Sequence, residues 1–182
     1  MSSELTIWTI GHSTRPLDEF LALLAQHGIE AVADVRRFPA SRRCPQYGRL
    51  ELQASLAQHR LEYRWLPTLG GRRRPVPDSA NIAWRNASFR GYADYMQTPE
   101  FAAGLEQLLD LARRLRTTLM CAESVWWRCH RSMIADALRA RSIVVVHILD
   151  AGHSTEHPWT APARIVNGRL TYVATDGNVP SH

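Results

Sequence analysis

The sequence predicts an α/β fold: a mainly parallel sheet with flanking helices, a Rossmann-like three-layer arrangement, plus a C-terminal β-hairpin. Two observations predict the sheet. Apolar runs of strand length alternate with amphipathic stretches of helical period, and the first two runs enclose a helix within about thirty residues, the size of a βαβ unit. A third observation, an Asn-Gly pair between two short β-prone segments, predicts the hairpin. With 182 residues, the chain fits a single domain spanning 1–182.

Each element of this alternation has its own signal in the residue pattern. After a first apolar run, Pro16 opens a helix that ends at Gly28, a residue suited to positive φ. Thr98 and Pro99 are typical of the N-cap and first position of a long helix. The same patterns predict strands over 5–10, 29–35, 61–66, 117–122 and 143–149, and helices that begin near residues 16, 49, 98 and 129.

Two segments fall outside the alternation of strands and helices. Residues 70–90 hold two glycines and two prolines without a clear period, and a loop of this length inside a compact domain is usually functional or mobile. We therefore expect a long loop or lid over 70–90. Near the end of the chain, Asn167 and Gly168 form the strongest short signal for a tight turn, so a β-hairpin is expected over 163–174.

The charge of the chain is basic and comes from arginine alone. The net charge is +5, and all 22 basic residues are arginines. The lack of lysine excludes mechanisms that need a lysine Schiff base or the lysine of a Walker A loop. Ten arginines against two acids lie between residues 36 and 74. This segment indicates an anionic partner, such as a nucleotide or a nucleic acid, because the arginine fork suits phosphate oxygens.

The sequence predicts a cytoplasmic protein with reduced cysteines. No charge-free stretch exceeds ten residues, so neither a membrane span nor a membrane partner is expected. The three cysteines cannot all pair within the chain and form no C-x-x-C motif, which favours free thiols over disulfides or a zinc site. No motif identifies a cofactor, and the residue pattern leaves the oligomeric state open.

Polar residues follow three of the predicted strands, at the positions where ligands bind in parallel sheets. Gly11, His12 and Ser13 follow the first strand. Asp34 lies at the end of the second strand, which Arg36 and Arg37 follow. Cys121 lies at the end of the fourth strand, which is followed by Glu123, Arg128, Cys129, His130 and Arg131. Because the carboxyl ends of parallel strands lie along one edge of the sheet, we expect these residues to surround one site.

Several of these residues allow two interpretations. Glu123 and Asp34 suit general acid and base catalysis, with His12 assisting proton transfer, but each carboxylate could equally pair with an arginine and His12 could hydrogen-bond across the rim. Cys129 and His130 are expected to open the last helix, where we expect an anion site. Because neighbouring residues on a helix point about 100° apart, we do not expect these two side chains to pair with each other. Cys121 is expected to pack in the core.

Six short blocks of the sequence resemble a known family. They are Thr9-Ile-Gly-His-Ser13, Asp34-Val-Arg36 with Phe38-Pro39, Leu69-Gly-Gly71, Phe89-Arg-Gly-Tyr-Ala-Asp-Tyr-Met96, Cys121-Ala-Glu123 and Cys129-His-Arg131. In this order they resemble the family catalogued as domain of unknown function 488. The resemblance implies a small α/β domain in the bacterial cytoplasm and supplies no established reaction.

These observations lead to one main hypothesis and two alternatives. The main hypothesis is a hydrolase or transferase that acts on a phosphate-bearing substrate at the C-terminal rim of the sheet. Glu123, Asp34 and His12 are the expected catalytic residues. The expected substrate-binding residues are Ser13, Arg36, Arg37, Tyr92, Arg128, Cys129, His130 and Arg131. The alternatives are a non-catalytic nucleic-acid-binding module that uses the Arg-rich segment, and a divalent-metal enzyme in which Asp34 and Glu123 are ligands.

Overall fold

The structure is a computed structural model that describes residues 4–174. Within these residues it has six strands in one sheet, two strands in a separate hairpin and five α-helices. The strands are β1 (Thr6–Gly11), β2 (Ala31–Asp34), β3 (Glu62–Trp65), β4 (Thr117–Cys121), β5 (Val144–Asp150), β6 (His153–Glu156), β7 (Arg164–Val166) and β8 (Arg169–Thr171). The helices are α1 (Leu17–Gln26), α2 (Arg49–Gln58), α3 (Ala87–Tyr95), α4 (Pro99–Arg114) and α5 (Arg131–Arg139). Short 3₁₀ turns occupy Pro45–Tyr47, Pro67–Leu69 and Trp126–Arg128.

The large sheet has the strand order β3-β2-β4-β1-β5-β6. Its first five strands are parallel, and β6 pairs antiparallel with β5. In the register, Trp8 of β1 lies opposite Thr118 of β4 and Val146 of β5. Every residue of β2 and β4 is buried, as expected for strands covered on both faces. The mixed α/β prediction is confirmed.

Helices cover both faces of the sheet and produce two apolar clusters. On one face, α1 and α2 supply Phe20, Leu24, Leu52 and Leu56. On the other face, α3, α4 and α5 pack against the opposite sides of the same strands. The chain leaves β1 toward the first face through α1 and leaves the neighbouring β4 toward the second face through α5. Such a divergence between adjacent strands opens a crevice at their carboxyl ends.

The helix-capping predictions are confirmed. Thr98 caps α4, and its Oγ1 accepts a hydrogen bond from the backbone N–H of Phe101 at 3.3 Å. Gly28, which follows α1, has a φ of +62°, the left-handed conformation that glycine adopts at little cost. The hairpin turn has positive φ at both Asn167 and Gly168, with values of +51° and +74°, as a two-residue turn between twisted strands requires.

Two elements and one helix boundary differ from the sequence prediction. Helix α3 was not predicted, because it is short and its first residues lie at the end of the irregular 70–90 segment. Strand β6 was not predicted, because all four of its residues are exposed and show no apolar alternation. Helix α5 begins at Arg131 instead of Cys129, since a 3₁₀ turn at Trp126–Arg128 precedes it.

The Asp94 carboxylate of α3 binds the segment that precedes this helix through hydrogen bonds. Asp94 accepts hydrogen bonds from the Val76 backbone N–H, the Ser79 hydroxyl and the Asn81 side-chain amide. Although burial opposes it, these bonds lower the pKa of Asp94. The 70–86 stretch therefore packs on the domain surface in this structure, and its closing over a ligand stays a prediction. Between residues 4 and 174, no helix has the length and apolar character needed to cross a membrane.

Candidate functional site

A cavity of about 550 Å³ lies at the carboxyl ends of the central strands. Its wall includes the residues after β1 and β4, the loop after β2, and the segment that leads into α3. This is the crevice that the diverging paths of β1 and β4 create. Eight of the predicted site residues line it: His12, Arg36, Arg37, Tyr92, Glu123, Arg128, Cys129 and His130. The residues near positions 12, 123 and 130, far apart in sequence, do meet around one cavity.

Asp34 lies behind the cavity and does not line it. The carboxylate is fully buried and accepts hydrogen bonds from Nε of Arg36 at 2.9 Å, from Nη2 of Arg36 at 2.6 Å and from the Tyr63 hydroxyl at 2.5 Å. Both carboxylate oxygens are therefore taken by neighbouring side chains. The hypothesis that Asp34 and Glu123 act as an acid–base pair on one ligand does not fit this placement. Asp34 instead holds Arg36 at the cavity wall.

Arg36 is held in one orientation by its surroundings. Besides its bonds to Asp34, it donates from Nη1 to the Tyr47 carbonyl oxygen at 2.8 Å. Although burial opposes it, the hydrogen bonds and the charge of Asp34 raise the pKa of Arg36. A guanidinium group that is already fixed loses little freedom when an anion binds, so Arg36 presents a preorganised positive charge to the cavity.

His12 is a neutral imidazole with a determined tautomer. Its Nδ1 lies 2.8 Å from the Ser13 carbonyl oxygen and therefore donates, while its Nε2 accepts from Nη1 of Arg36 at 3.3 Å. Burial and the charge of Arg36, partly opposed by the Ser13 bond, lower the pKa of His12 to about 4. The ring stacks on Tyr47 with 4.2 Å between centroids. This geometry favours hydrogen bonding across the rim over a role as a base.

Arg131 and Ser13 also fall outside the cavity wall. Arg131 is 1% exposed and donates from Nη2 to the carbonyl oxygens of Glu123 and Ser124 at 3.0 and 3.2 Å. It holds the loop between β4 and α5, and in this structure it does not line the cavity where a substrate contact was expected. Ser13, with a φ of +48°, donates its backbone N–H to Ala122 on the same loop. Both residues contact the loop that borders the cavity without lining the cavity themselves.

The close approach of two backbones directs Glu123 to the cavity. A Cβ atom at Gly11 would lie 1.7 Å from the Glu123 carbonyl oxygen, so only glycine fits at the end of β1. The His12 backbone N–H holds the neighbouring Cys121 carbonyl at 2.9 Å. The Glu123 side chain is exposed at the cavity wall. Within residues 4–174 its carboxylate has no hydrogen-bonding or ionic partner, which leaves both oxygens available to a ligand.

The rest of the wall is positive and aromatic. Four arginines line the cavity: Arg36, Arg37, Arg72 and Arg128. Arg37 also donates to the Arg72 carbonyl oxygen at 2.9 Å, which joins the β2 loop to the 70–86 stretch. Phe38 and Trp127 contribute apolar rings that are 63% and 53% exposed. Large exposed aromatic rings beside a cavity are typical of ligand contact surfaces.

Phe38 and Arg72 line the cavity although neither was predicted as a site residue. Phe38 belongs to one of the six blocks that resemble the family, and Arg72 belongs to the arginine-rich segment, but both lie in loops whose path depends on tertiary contacts. Tyr92 was named and lines the wall. Its hydroxyl donates to the Leu69 carbonyl oxygen at 2.7 Å, so only its ring faces the cavity.

Cys129 and His130 interact, contrary to the sequence prediction. The Cys129 Sγ lies 3.4 Å from Nδ1 of His130. The prediction was wrong because it placed both residues on the last helix, whereas Cys129 precedes α5 in an extended conformation with φ −131° and ψ 148°. Cys121 is buried as expected, and its Sγ lies 3.0 Å from the Sγ of Cys129. All three cysteines are free thiols.

The arrangement does not support the predicted metal site at Asp34 and Glu123. The Asp34 oxygens are occupied by Arg36 and Tyr63, and Asp34 does not share the cavity with Glu123. In the part of the chain that the structure describes, no group of three or more histidine, cysteine, aspartate or glutamate side chains is placed to hold one metal ion.

Comparisons with known proteins identify a family. Neither a search of curated proteins nor a search of solved structures found a match. The family model described as "Domain of unknown function DUF488" matches residues 16–138, more than half of the chain. The matched range includes the loop after β2, the 70–86 stretch and the β4–α5 loop, which together form most of the cavity wall. The chain therefore belongs to the DUF488 family.

Proposed function

We propose that the protein is an enzyme, a hydrolase or transferase, that acts on a phosphate-bearing substrate such as a nucleotide or a nucleic acid. One observation carries the proposal. The crevice between β1 and β4 is lined by four arginines, and Glu123 stands among them as a carboxylate with both oxygens available. Positive charge of this density suits phosphate oxygens, and an unpaired carboxylate beside it suits proton transfer. We further expect the protein to act in the cytoplasm, where three thiols stay reduced.

The arginines of the cavity differ in how firmly their guanidinium groups are held. Arg36 is locked by Asp34 and Tyr47 and offers charge in one direction. Arg37 and Arg128 are more exposed and can follow the position of a phosphate. The exposed rings of Phe38 and Trp127 offer faces on which a nucleobase can stack, and such stacking contributes about 1–3 kcal/mol per base. Together they hold a ligand that combines phosphate with an aromatic base.

Glu123 is the proposed acid–base residue. Its carboxylate reaches the same cavity as the arginines, so a substrate held by its phosphate places a neighbouring bond within reach of the carboxylate. Glu123 then removes a proton from water or from an acceptor hydroxyl, or gives one to the leaving group. His12 keeps Arg36 and the β1–α1 turn in place through its two ring nitrogens.

A panel of nucleotides and oligonucleotides tests the proposal. We expect the wild-type protein to convert at least one member, and Glu123→Gln to lower kcat by about 10²–10⁴-fold while ligand affinity stays within a few-fold, because the amide keeps the shape but cannot transfer a proton. Arg128→Ala should weaken binding about tenfold or more, since a hydrogen bond to a charged group contributes about 1.5–3 kcal/mol. Product analysis and calorimetry provide the two readouts.

Exposed residues away from the cavity supply matched controls. Glu156→Gln on β6 and Arg113→Ala on α4 change the same charges at exposed positions that do not line the cavity. Both should behave like the wild-type protein. Turnover that Glu123→Gln leaves unchanged would remove Glu123 from the chemistry. The absence of binding by every panel member at low ionic strength would overturn the proposal as a whole.

A second candidate, a nucleic-acid-binding module without catalysis, is favoured by one further observation. A neighbouring depression shares Arg37 and Arg72 with the cavity and adds Arg73 and Arg74, so positive charge continues past the site. The same panel separates the two functions. A module binds long strands without turnover, and its affinity falls steeply as salt is added because many phosphates are contacted. An enzyme with a pocket binds a mononucleotide with a shallower salt dependence.

A further inference from the structure

Two cysteine side chains meet in the wall of the cavity, and the proposed reaction uses neither of them. The Sγ atoms of Cys121 and Cys129 lie 3.0 Å apart, which is only about 1 Å longer than a disulfide bond. Cys121 ends β4, and Cys129 stands two residues before the start of α5. Both residues line the cavity although they are only 2% and 5% exposed. A small shift of the intervening loop would bring the sulfurs within bonding distance.

His130 is placed to accept a proton from Cys129. Nε2 of His130 lies 3.1 Å from the carbonyl oxygen of Val35, which can only accept, so Nε2 carries a hydrogen. Burial lowers the pKa of His130, so the ring is neutral and Nδ1 has a free lone pair. That lone pair faces the Cys129 sulfur at 3.4 Å. A thiol beside an imidazole that a third group orients is an arrangement that activates cysteine nucleophiles.

The surroundings of the two sulfurs favour the thiolate form of Cys129 and the protonated form of Cys121. The Arg131 backbone N–H points at the Cys129 Sγ at 3.5 Å. The hydrogen bond with Cys121, opposed by burial and supported by the charge of Arg131, lowers the pKa of Cys129. Burial and the neighbouring Cys129 raise the pKa of Cys121 well above its usual range. Cys129 is therefore the better thiolate, and Cys121 remains a protonated neighbour.

Cys44 shows what a cysteine with a packing role alone looks like in this chain. It is also buried, but it belongs to the apolar cluster on the α1–α2 face of the sheet. Cys121 and Cys129 belong to the other cluster. Packing accounts for Cys44, whereas packing requires neither a second sulfur at 3.0 Å nor an oriented histidine.

We propose that Cys121 and Cys129 form a redox-active dithiol in the cavity wall, which a hydroperoxide oxidises to an intramolecular disulfide and a cellular dithiol reduces again. This activity is separate from the proposed hydrolase or transferase reaction and does not depend on it. A hydroperoxide fits the site because it is small and uncharged and can reach a nearly buried sulfur through the cavity. Oxidation would tie the end of β4 directly to the segment before α5.

The reaction proceeds in two steps that conserve atoms and electrons. With hydrogen peroxide as the hydroperoxide, the Cys129 thiolate attacks one peroxide oxygen and breaks the O–O bond while its own proton is held on His130. The departing hydroxide takes that proton and leaves as water, and Cys129 becomes a sulfenic acid. The Cys121 sulfur then attacks the Cys129 sulfur, the S–O bond breaks, and the Cys121 proton leaves with the hydroxyl group as a second water. Two thiols lose two electrons in total, and the peroxide gains them. Thiol–disulfide exchange with a dithiol reverses the oxidation.

The test uses the chain of residues 1–182 with Cys44→Ser, in which Cys121 and Cys129 are the remaining thiols. After reduction and removal of the reductant, the protein is treated with stoichiometric hydrogen peroxide. We expect both thiols to disappear, the intact mass to fall by two hydrogen atoms, and peptide mapping to find Cys121 joined to Cys129 in a monomer. Dithiothreitol should restore both thiols. The wild-type protein should behave alike and retain the Cys44 thiol.

Two further variants separate the attacking cysteine from its partner. In Cys44→Ser/Cys121→Ser, the sulfenic acid on Cys129 should accumulate and be trapped by a dimedone reagent; in Cys44→Ser/Cys129→Ser, Cys121 should stay reduced. If Cys44→Ser, shown to be folded by circular dichroism, keeps both thiols, gains oxygen without forming a disulfide, or links two chains, the proposal fails. No nucleotide is present in this experiment, so its outcome is independent of whether the proposed hydrolase or transferase activity is found.

Discussion

At the scale of single residues, two kinds of polar side chain surround the site. Some have every hydrogen-bonding atom paired with the protein and support the site, and others have atoms that stay available to a ligand. Asp34 and Glu123 are both carboxylates at strand ends, and the sequence cannot rank them. Asp34 is buried, and its oxygens are taken by Arg36 and Tyr63. Glu123 is exposed at the cavity with both oxygens available in the described part of the chain. Asp34 therefore contributes to stability and to the position of Arg36, whereas the oxygens of Glu123 stay available for the acid–base role that we propose.

Removing the charge of Asp34 should destabilise the protein. Asp34→Asn leaves the buried Arg36 guanidinium without its counter-charge, and we expect the free energy of unfolding to fall by about 3–5 kcal/mol. Urea unfolding followed by tryptophan fluorescence measures the change. The matched control is Asp110→Asn, whose ion pair with Arg113 is exposed on α4 and should cost less than about 1 kcal/mol. Equal losses in the two variants would contradict the structural role of Asp34.

At the scale of elements, the site depends on the contact between the end of β1 and the loop that follows β4. Gly11 lies directly against the Glu123 backbone. The N–H groups of His12 and Ser13 continue the ladder between β1 and β4 by donating to Cys121 and Ala122. From the other side, the Arg131 guanidinium holds the same loop. The position of the proposed acid–base residue is therefore set by two strands and the first turn of a helix, although it stands on a loop.

A side chain at Gly11 should disturb this contact. Gly11→Ala places a carbon within 1.7 Å of a backbone oxygen, so the β4–α5 loop must move. We expect a loss of about 1–3 kcal/mol in the free energy of unfolding, the usual cost of overpacking. Gly152→Ala is the control, since its added carbon meets no heavy atom within 4 Å and should change stability by less than about 0.5 kcal/mol. A Gly11→Ala protein as stable as the wild type would contradict the close approach.

At the scale of the whole molecule, buried histidines connect distant elements. Nε2 of His157 lies 2.9 Å from the Asp136 carboxylate of α5, and Nδ1 of His157 lies 2.9 Å from Nε2 of His147. Nδ1 of His147 lies 2.6 Å from the Thr9 hydroxyl oxygen. Tyr172, after the hairpin, donates to the Asp136 carboxylate at 2.7 Å. One chain of hydrogen bonds thus joins β1, β5, α5 and the residue that follows the C-terminal hairpin.

Two buried histidines, His12 and His147, should make the fold sensitive to acid. The pKa of His12 falls from 6.5 to about 4 on folding, mainly because of burial, so the unfolded chain binds a proton that the folded protein does not. This contribution is fully present above pH 6.5 and is lost as the pH falls toward 4, with a total of about 3 kcal/mol. Burial and His157 lower the pKa of His147 further, to about 2, and extend the loss to lower pH.

Urea unfolding at a series of pH values between 7 and 4 measures this effect. In His12→Gln, the decrease in stability over this range should be smaller than in the wild-type protein by about 3 kcal/mol. His59→Gln, an exposed residue that follows α2, is the control and should retain the wild-type pH dependence. Parallel curves for wild type and His12→Gln would show that His12 is not a buried neutral group.

The local features of this protein follow from its sequence. The Thr98 cap, the positive φ of Gly28 and the Asn167-Gly168 turn depend on neighbouring residues, so the order of residues contains the information needed to predict them. The alternation of apolar runs also determined the α/β class and, through the parallel sheet, the edge at which polar residues gather. Seven of the eleven predicted site residues line the cavity for this reason, and Tyr92 joins them from α3.

The contacts of each of those residues depend on the tertiary structure. Whether Asp34 faces a ligand or a buried arginine, and whether Cys121 meets the sulfur of Cys129, depends on contacts between separate segments and on the rotamers that packing allows. The period of the apolar residues indicates which face of an element is buried, but it does not indicate where a side chain points after the end of a strand. The roles that we propose for the site residues depend on those side-chain directions.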